Sequence, residues 1–90
     1  MTKTQQQFRR KATIEMRRLT GAGVLVDAEG NHFGINRVGV RIWDLLEESR
    51  SLEGLVEILL GEFEITEPRC RAEAKRFVGE LVERGLVERE

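Results

Sequence analysis

The side chains that most often carry chemistry are sparse in this sequence. His32 and Cys70 are the only residues of their types. A metal site needs several His, Cys, Asp or Glu ligands at helical or turn spacing, and no second histidine lies near His32. A cysteine nucleophile needs a base within hydrogen-bond reach, whereas Cys70 lies on the apolar stripe of a predicted helix, where a buried thiol is expected. We therefore expect no bound metal and no catalytic cysteine.

Two further patterns that often indicate catalysis or a cofactor are also missing. Gly21-Ala22-Gly23 precedes a predicted strand, whereas a phosphate-binding loop follows a strand and opens a helix. Carboxylate pairs such as Glu47-Glu48 fall on the polar side of a predicted helix and have the pattern of a solvated face. The sequence thus predicts a binding protein without a cofactor rather than an enzyme.

Three strands are predicted in the first part of the chain. Apolar and polar residues alternate over residues 12–18, and short apolar runs follow at 24–27 and 32–35. Gly21 and Gly23 mark the first turn, and Gly30 lies in a short polar loop that favours a hairpin. Short connections of this kind favour an antiparallel sheet.

Three helices are predicted in the rest of the chain. Asn36, Ser51 and Thr66 are candidate N-caps, since their side-chain oxygens can accept backbone N–H groups of a first turn. Apolar residues recur three and four apart after each of them, and Pro68 suits the first turn of the last helix. We predict an α+β, winged-helix-like fold in which a three-stranded antiparallel sheet is followed by three helices.

Composition indicates one small domain with an uneven charge distribution. The 90 residues are 40% hydrophobic and 34% charged, with a net charge of −1. Residues 1–18 hold six of the 15 Lys and Arg residues but only one of the 16 Asp and Glu residues. We assign residues 1–11 to a flexible basic arm and 12–90 to the domain; the arm either attracts an acidic partner or is only a solvated terminus. A membrane span and a signal peptide are not evident, so a cytoplasmic protein is expected.

A peptide-binding surface can be derived from two of these elements. The third strand is predicted to be an edge, whose unpaired backbone groups can accept an added strand, so His32, Phe33, Gly34 and Ile35 are candidate contacts. On the third helix, a stripe beside the apolar core face holds Arg71, Lys75, Val78 and Val82. Its two valines and two cations could bind an extended peptide that carries apolar and acidic side chains. The alternative is that the two valines widen the core and the two cations are solvated.

The order of motifs resembles a known family. An aliphatic strand ending in Asp is followed by a hairpin with an aromatic residue, an aliphatic-Asn pair, and Gly and Ile-Trp on a helix: Gly23-Val24-Leu25-Val26-Asp27, Gly30, Phe33, Ile35-Asn36, Gly39, Ile42-Trp43 and Leu45-Leu46. Ser51-Leu52, Phe63, Phe77, Leu81 and Gly85-Leu86-Val87 continue the match. This pattern resembles the PqqD-like proteins over about residues 12–88. Gly54, where the family tends to have Glu, and Ile35, in place of the usual Leu, depart from it.

The resemblance implies a RiPP recognition element, that is, a domain that recognises the leader peptides of ribosomally synthesised, post-translationally modified peptides. It implies that the leader adds to the third strand in the cleft against the third helix. On this chain the resemblance places the contacts at residues 32–36, which adds Asn36, and on the helix face with Arg71, Lys75 and Val78. The Gly39–Trp43 run and Cys70 look most like the stand-alone members of lasso-peptide biosynthesis, which deliver a precursor to a separate leader peptidase with a cysteine nucleophile.

A competing interpretation is nucleic-acid binding through the last two helices, which have a helix-turn-helix order. Arg69, Arg71, Lys75 and Arg76 could reach phosphates. However, acidic residues interrupt them and the domain is not basic overall, whereas DNA-binding domains typically carry a clear positive patch. The charge pattern therefore favours a peptide partner.

Overall fold

The computed structural model describes residues 6–90. In chain order its elements are β1 (Gln7–Arg10), β2 (Glu15–Leu19), β3 (Ala22–Val26), β4 (His32–Asn36), α1 (Arg37–Leu45), β5 (Arg50–Ser51), α2 (Leu52–Glu62), α3 (Glu67–Glu83) and β6 (Val87–Arg89).

The predicted three-stranded antiparallel sheet is confirmed, in the order β2-β3-β4. Gly21 and Gly30 occupy its two turns with φ of 70° and 84°, a left-handed conformation that glycine adopts without steric cost. In the β3–β4 turn, Asp27 Oδ1 accepts the backbone N–H groups of Glu29 and Asn31 at 3.0 and 2.8 Å. These bonds stabilise the hairpin in which β4 is the second strand.

The three predicted helices are also confirmed, and two of the three caps form as expected. Asn36 Oδ1 accepts the Gly39 N–H at 2.8 Å, and Ser51 Oγ accepts the Gly54 N–H at 3.0 Å. Thr66 precedes α3 but its side chain makes no cap hydrogen bond. Gly54 lies in the first turn of α2, where its N–H is held by the Ser51 cap.

One core joins the β2-β3-β4 sheet to the helices. Its buried apolar residues come from β3, β4, all three helices and the C-terminal segment: Leu25, Ile35, Ile42, Trp43, Leu45, Leu46, Leu55, Val56, Leu59, Cys70, Ala74, Val78, Leu81, Leu86 and Val87. Leu86 and Val87, which follow α3, fold back onto the core. The described residues leave no buried side-chain polar atom without a hydrogen-bond partner.

A second sheet, in the order β5-β1-β6, was not predicted. Residues 7–10, which the sequence placed in a flexible arm, form its central strand and pair antiparallel with β5 and with β6. The Arg10 guanidinium also donates to the Trp43 carbonyl at 3.1 Å. The assignment to an arm is wrong for this segment. Its partners, Arg50–Ser51 and Val87–Arg89, are distant in sequence, so local periodicity does not reveal them. Residues 1–5 of that assignment lie outside the described residues.

Candidate functional site

The outer edge of β4 has backbone groups that the sheet does not use. Among residues 6–90, β4 pairs with β3 alone. The Asp27 N–H donates to the Asn31 carbonyl at 3.1 Å, so this pair is a hydrogen-bonded one. Hydrogen-bonded and non-hydrogen-bonded pairs alternate in an antiparallel ladder. Phe33 and Ile35 therefore bond to β3, whereas the N–H groups of His32, Gly34 and Asn36 point to the open edge.

A groove runs between this edge and α3. It has a volume of about 140 Å³ and is lined from β4, α1 and α3 by Phe33, Gly34, Ile35, Asn36, Val38, Gly39, Ile42, Glu73, Arg76, Phe77 and Glu80. We call this recess the groove. An open strand edge on one wall and apolar side chains between the walls suit an extended peptide.

The floor of the groove depends on a close approach between α1 and α3. A Cβ on Gly39 would lie 3.1 Å from Cζ of Phe77 and 3.1 Å from Cβ of Ile35. Phe77 is half-buried and packs against the core. Gly39 therefore lets the Phe77 ring lie on the start of α1, where it forms apolar floor beneath the β4 edge.

Charged residues of both signs line the α3 wall. Arg76 donates to Glu80 at 2.7 Å, and Arg69 donates to Glu73 at 3.4 Å, both one helical turn apart. Exposed pairs of this kind contribute little to stability. A ligand can therefore replace one of these ion pairs with its own contacts at a small cost in folding stability.

A second recess, of about 360 Å³, lies beyond Phe33 at the hairpin end of β4. It is lined by Leu25, Asp27, Asn31, His32, Phe33, Arg84 and Leu86. The Arg84 guanidinium carbon lies 4.3 Å from the centroid of the Phe33 ring. The Asn31 side chain and backbone donate to Asp27, and together with the other turn amides they hold the pKa of the Asp27 carboxyl below its ordinary value.

The five candidate residues of β4 lie where the sequence placed them. Phe33, Gly34, Ile35 and Asn36 line the groove, and His32 lines the second recess. A Cβ on Gly34 would meet no atom within 4 Å, so this position is open.

The four candidate residues of α3 do not line the groove, and this part of the prediction is corrected. Val78 is buried in the core, at 2% exposure. Arg71 turns to α2 and forms ion pairs with Glu53 and Glu67. Lys75 lies on another surface of α3, near Arg89, and Val82 is half-buried against the core.

The residues that α3 does bring to the groove were missed. They are Glu73, Arg76, Phe77 and Glu80, with Arg84 at the second recess. At 100° per residue these positions lie on the opposite side of the core stripe from Arg71 and Lys75. Both sides carry charges beside apolar residues, so the sequence pattern alone did not distinguish them. The one available signal was Phe77, a large aromatic at the margin of the stripe.

Cys70 is a core residue, as the sequence indicated. It is 2% exposed, and its Sγ lies 4.0 Å from the Val56 carbonyl oxygen. Burial raises the pKa of the thiol. Within residues 6–90, no group of three or more His, Cys, Asp or Glu side chains is placed to hold a metal ion.

Within residues 6–90, no helix combines the length and the apolar character that crossing a bilayer requires.

Comparisons with known proteins identify a family and a shared fold. The family model described as coenzyme PQQ synthesis protein D (PqqD) matches residues 22–87. The solved structure of TbiB1 in complex with the TbiA(beta) leader peptide is 27% identical, with a TM-score of 0.75 over 89% of this chain and 94% of that chain. Lasso peptide synthetase B1 complexed with the leader peptide is 22% identical, with a TM-score of 0.73 over 90% of this chain and 96% of that chain, and shows the shared fold. The search of curated proteins gave no significant match.

Proposed function

Because the chain belongs to the PqqD family, we propose that it is a RiPP recognition element that captures the leader peptide of a precursor by strand addition to β4. The observation that carries the proposal is the open β4 edge beside a groove lined by both apolar and charged side chains. The 27% identical TbiB1, whose chain is matched over 94% of its length, was solved with a leader peptide bound.

The proposed binding mode assigns separate roles to backbone and side chains. The edge groups of His32, Gly34 and Asn36 supply hydrogen bonds that do not depend on the ligand's sequence. Every second ligand side chain points to the groove, where Phe33 and Phe77 offer apolar contact. Alternation of this kind gives affinity through the backbone and selectivity through the inward side chains.

Binding is tested by titrating this protein into the fluorescently labelled leader segment of a precursor encoded beside its gene. Saturable binding at micromolar Kd or tighter is expected, on the order of −8 kcal/mol. Absence of saturable binding to that leader would refute leader capture.

Strand addition is tested separately by amide hydrogen exchange, followed by NMR. With the leader bound, the His32, Gly34 and Asn36 amides should gain protection, because the added strand accepts their hydrogen bonds. The Phe33 and Ile35 amides, already paired with β3, serve as the internal control. Binding without new protection at those three amides would leave leader capture standing but exclude this geometry.

We further propose that the protein is non-catalytic and presents the leader to a separate enzyme, a leader peptidase with a cysteine nucleophile in a lasso-peptide system. The buried Cys70 gives this chain no accessible nucleophile of that kind within residues 6–90. Precursor cleavage by the neighbouring peptidase should accelerate when this protein is added and stay absent with this protein alone. Equal cleavage with and without it would contradict presentation.

The alternative, nucleic-acid binding through α2 and α3, has weaker support. Its candidate arginines are engaged by acidic side chains: Arg69 by Glu73, Arg71 by Glu53 and Glu67, and Arg76 by Glu80. Phosphate binding would have to break these pairs. A salt-dependent mobility shift on duplex DNA, with no binding to leader, would favour this alternative.

A further inference from the structure

Arg84 has an arrangement that the arginines of α3 lack. Its guanidinium stacks on the Phe33 ring, at 4.3 Å, just beyond the end of α3 at Glu83. Arg84 lines the second recess, and a stacked guanidinium keeps its N–H donors at its edge, in the plane of the group and off the ring face. A cation also suits the C-terminal end of a helix, where carbonyl groups concentrate partial negative charge.

These donors are not taken up by a carboxylate of the described chain. Arg69, Arg71 and Arg76 each form an ion pair within 4.0 Å, and Arg84 forms none among residues 6–90. Asp27 lines the same recess, but its two oxygens accept three hydrogen bonds from Glu29 and Asn31. The Asp27 carboxylate is therefore hydrogen-bonded within the hairpin, whereas the Arg84 guanidinium has no acidic partner among the described residues.

We propose that the second recess is a subsite for a carboxylate side chain, Asp or Glu, of the bound peptide, and that Arg84 is the residue that selects it. This inference rests on the proposed function and adds to it a requirement on the ligand's sequence. Arg84 forms a charge-assisted hydrogen bond with the carboxylate, while the ring of Phe33 holds the guanidinium in place.

The position of this acidic residue follows from the geometry of a strand. Phe33 lines both recesses, so one ligand strand along β4 passes from one to the other. Inward side chains recur every second residue, at roughly 6.5–7 Å. The acidic residue therefore lies two or four positions from the apolar side chain that fills the groove.

The test is selection of a randomised peptide display library on the immobilised protein, in four forms: wild type, Arg84→Gln, Arg84→Glu and Arg17→Gln. Wild type should enrich an apolar residue with Asp or Glu two or four positions away from it. Arg84→Gln should keep the apolar residue and lose the acidic one, and Arg84→Glu should enrich Lys or Arg there. Arg17 is an exposed arginine on β2, away from the β4 edge, so Arg17→Gln removes the same charge and should select as wild type does.

A selected peptide is then titrated against each form. Arg84→Gln should weaken binding by between about threefold and tenfold, and exchange of the peptide's acidic residue for its amide should weaken wild type equally but leave Arg84→Gln unaffected. Enrichment of apolar residues with no acidic position sensitive to Arg84 would overturn this inference and leave the proposed function intact. Failure to enrich any peptide would overturn both.

Discussion

At the scale of single side chains, two adjacent residues on α3 have different surroundings. Arg76 lines the groove and pairs with Glu80, whereas Lys75 lies on another surface, beside Gly79 and Arg89. Each is exposed or nearly so, and each carries one positive charge. They form a matched pair for asking which side of α3 meets a ligand.

We expect Arg76→Glu to weaken leader binding at least about fivefold more than Lys75→Glu. The first change puts a third carboxylate beside Glu73 and Glu80 in the groove, and like charges within a few ångströms repel one another and an acidic ligand. Fluorescence polarisation with the labelled leader measures both. The reverse order would restore the sequence-based assignment of Lys75 to the binding face.

Gly39 has a steric role at the same scale. Gly39→Ala places a methyl group 3.1 Å from Phe77 and Ile35, so the ring must shift. We expect a loss of about 1–3 kcal/mol in the free energy of unfolding, because extra volume in packed surroundings strains its neighbours. Urea denaturation measures it.

Gly79→Ala is the matched control in another helix. A Cβ at Gly79 meets nothing within 4 Å, and alanine is favoured over glycine inside a helix by up to about 1 kcal/mol. This variant should equal or exceed wild type in stability. Equal effects of the two substitutions would mean that Gly39 has no special steric role.

At the scale of elements, β1 holds the two ends of the domain together. It pairs with β6 on one side and β5 on the other. The Arg10 N–H donates to the Leu46 carbonyl and the Lys11 N–H to the Leu86 carbonyl, at 2.9 and 3.1 Å. The Arg10 guanidinium lies 5.7 Å from the centroid of the Trp43 ring and 3.7 Å from Glu47. β1 is thereby fixed to α1, whose first residues line the groove.

Arg10→Ala should lower the free energy of unfolding by about 1–2 kcal/mol, since it removes the bond to the Trp43 carbonyl and the contact with the indole ring. Arg9, its exposed neighbour on the same strand, is the control, and Arg9→Ala should stay within about 0.5 kcal/mol of wild type. Chemical denaturation of both variants distinguishes a structural strand from a loose arm, for which neither change would matter.

At the scale of the whole molecule, one core includes parts of both sheets and all three helices. Leu25 of β3, Trp43 of α1, Leu55 of α2, Leu81 of α3 and Val87 of β6 are all buried in it. A small domain with a single core usually unfolds in one cooperative transition. Cys70, inside the same core, can report that transition.

We expect the Cys70 thiol to react with a disulfide reagent slowly in the native protein and at once in denaturant. Burial shields the sulfur and raises the thiol pKa, so the reactive thiolate is scarce until the core opens. The native labelling rate should fall on addition of leader, because a ligand that binds the folded form stabilises it. Rapid native labelling, unaffected by leader, would show that the core around Cys70 opens without global unfolding of the domain.

The order of elements and most of their boundaries follow from the sequence. The period-two and helical patterns, the caps at Asn36 and Ser51, and Gly30 in its hairpin all depend on residues a few positions apart. The β4 half of the candidate site was predictable for the same reason, since its residues are consecutive. The motif order from Gly23 to Val87 also indicated the family whose model matches residues 22–87.

The tertiary structure alone decided which side of α3 faces β4 and where residues 7–10 pair. A helix has two flanks beside its apolar stripe, and the choice between Arg71–Lys75 and Arg76–Glu80 depends on the direction in which α3 packs across the sheet. Likewise, β1 finds its partner some eighty residues further along the chain. Local sterics and periodicity determine elements, whereas the arrangement of faces is set by packing between distant segments.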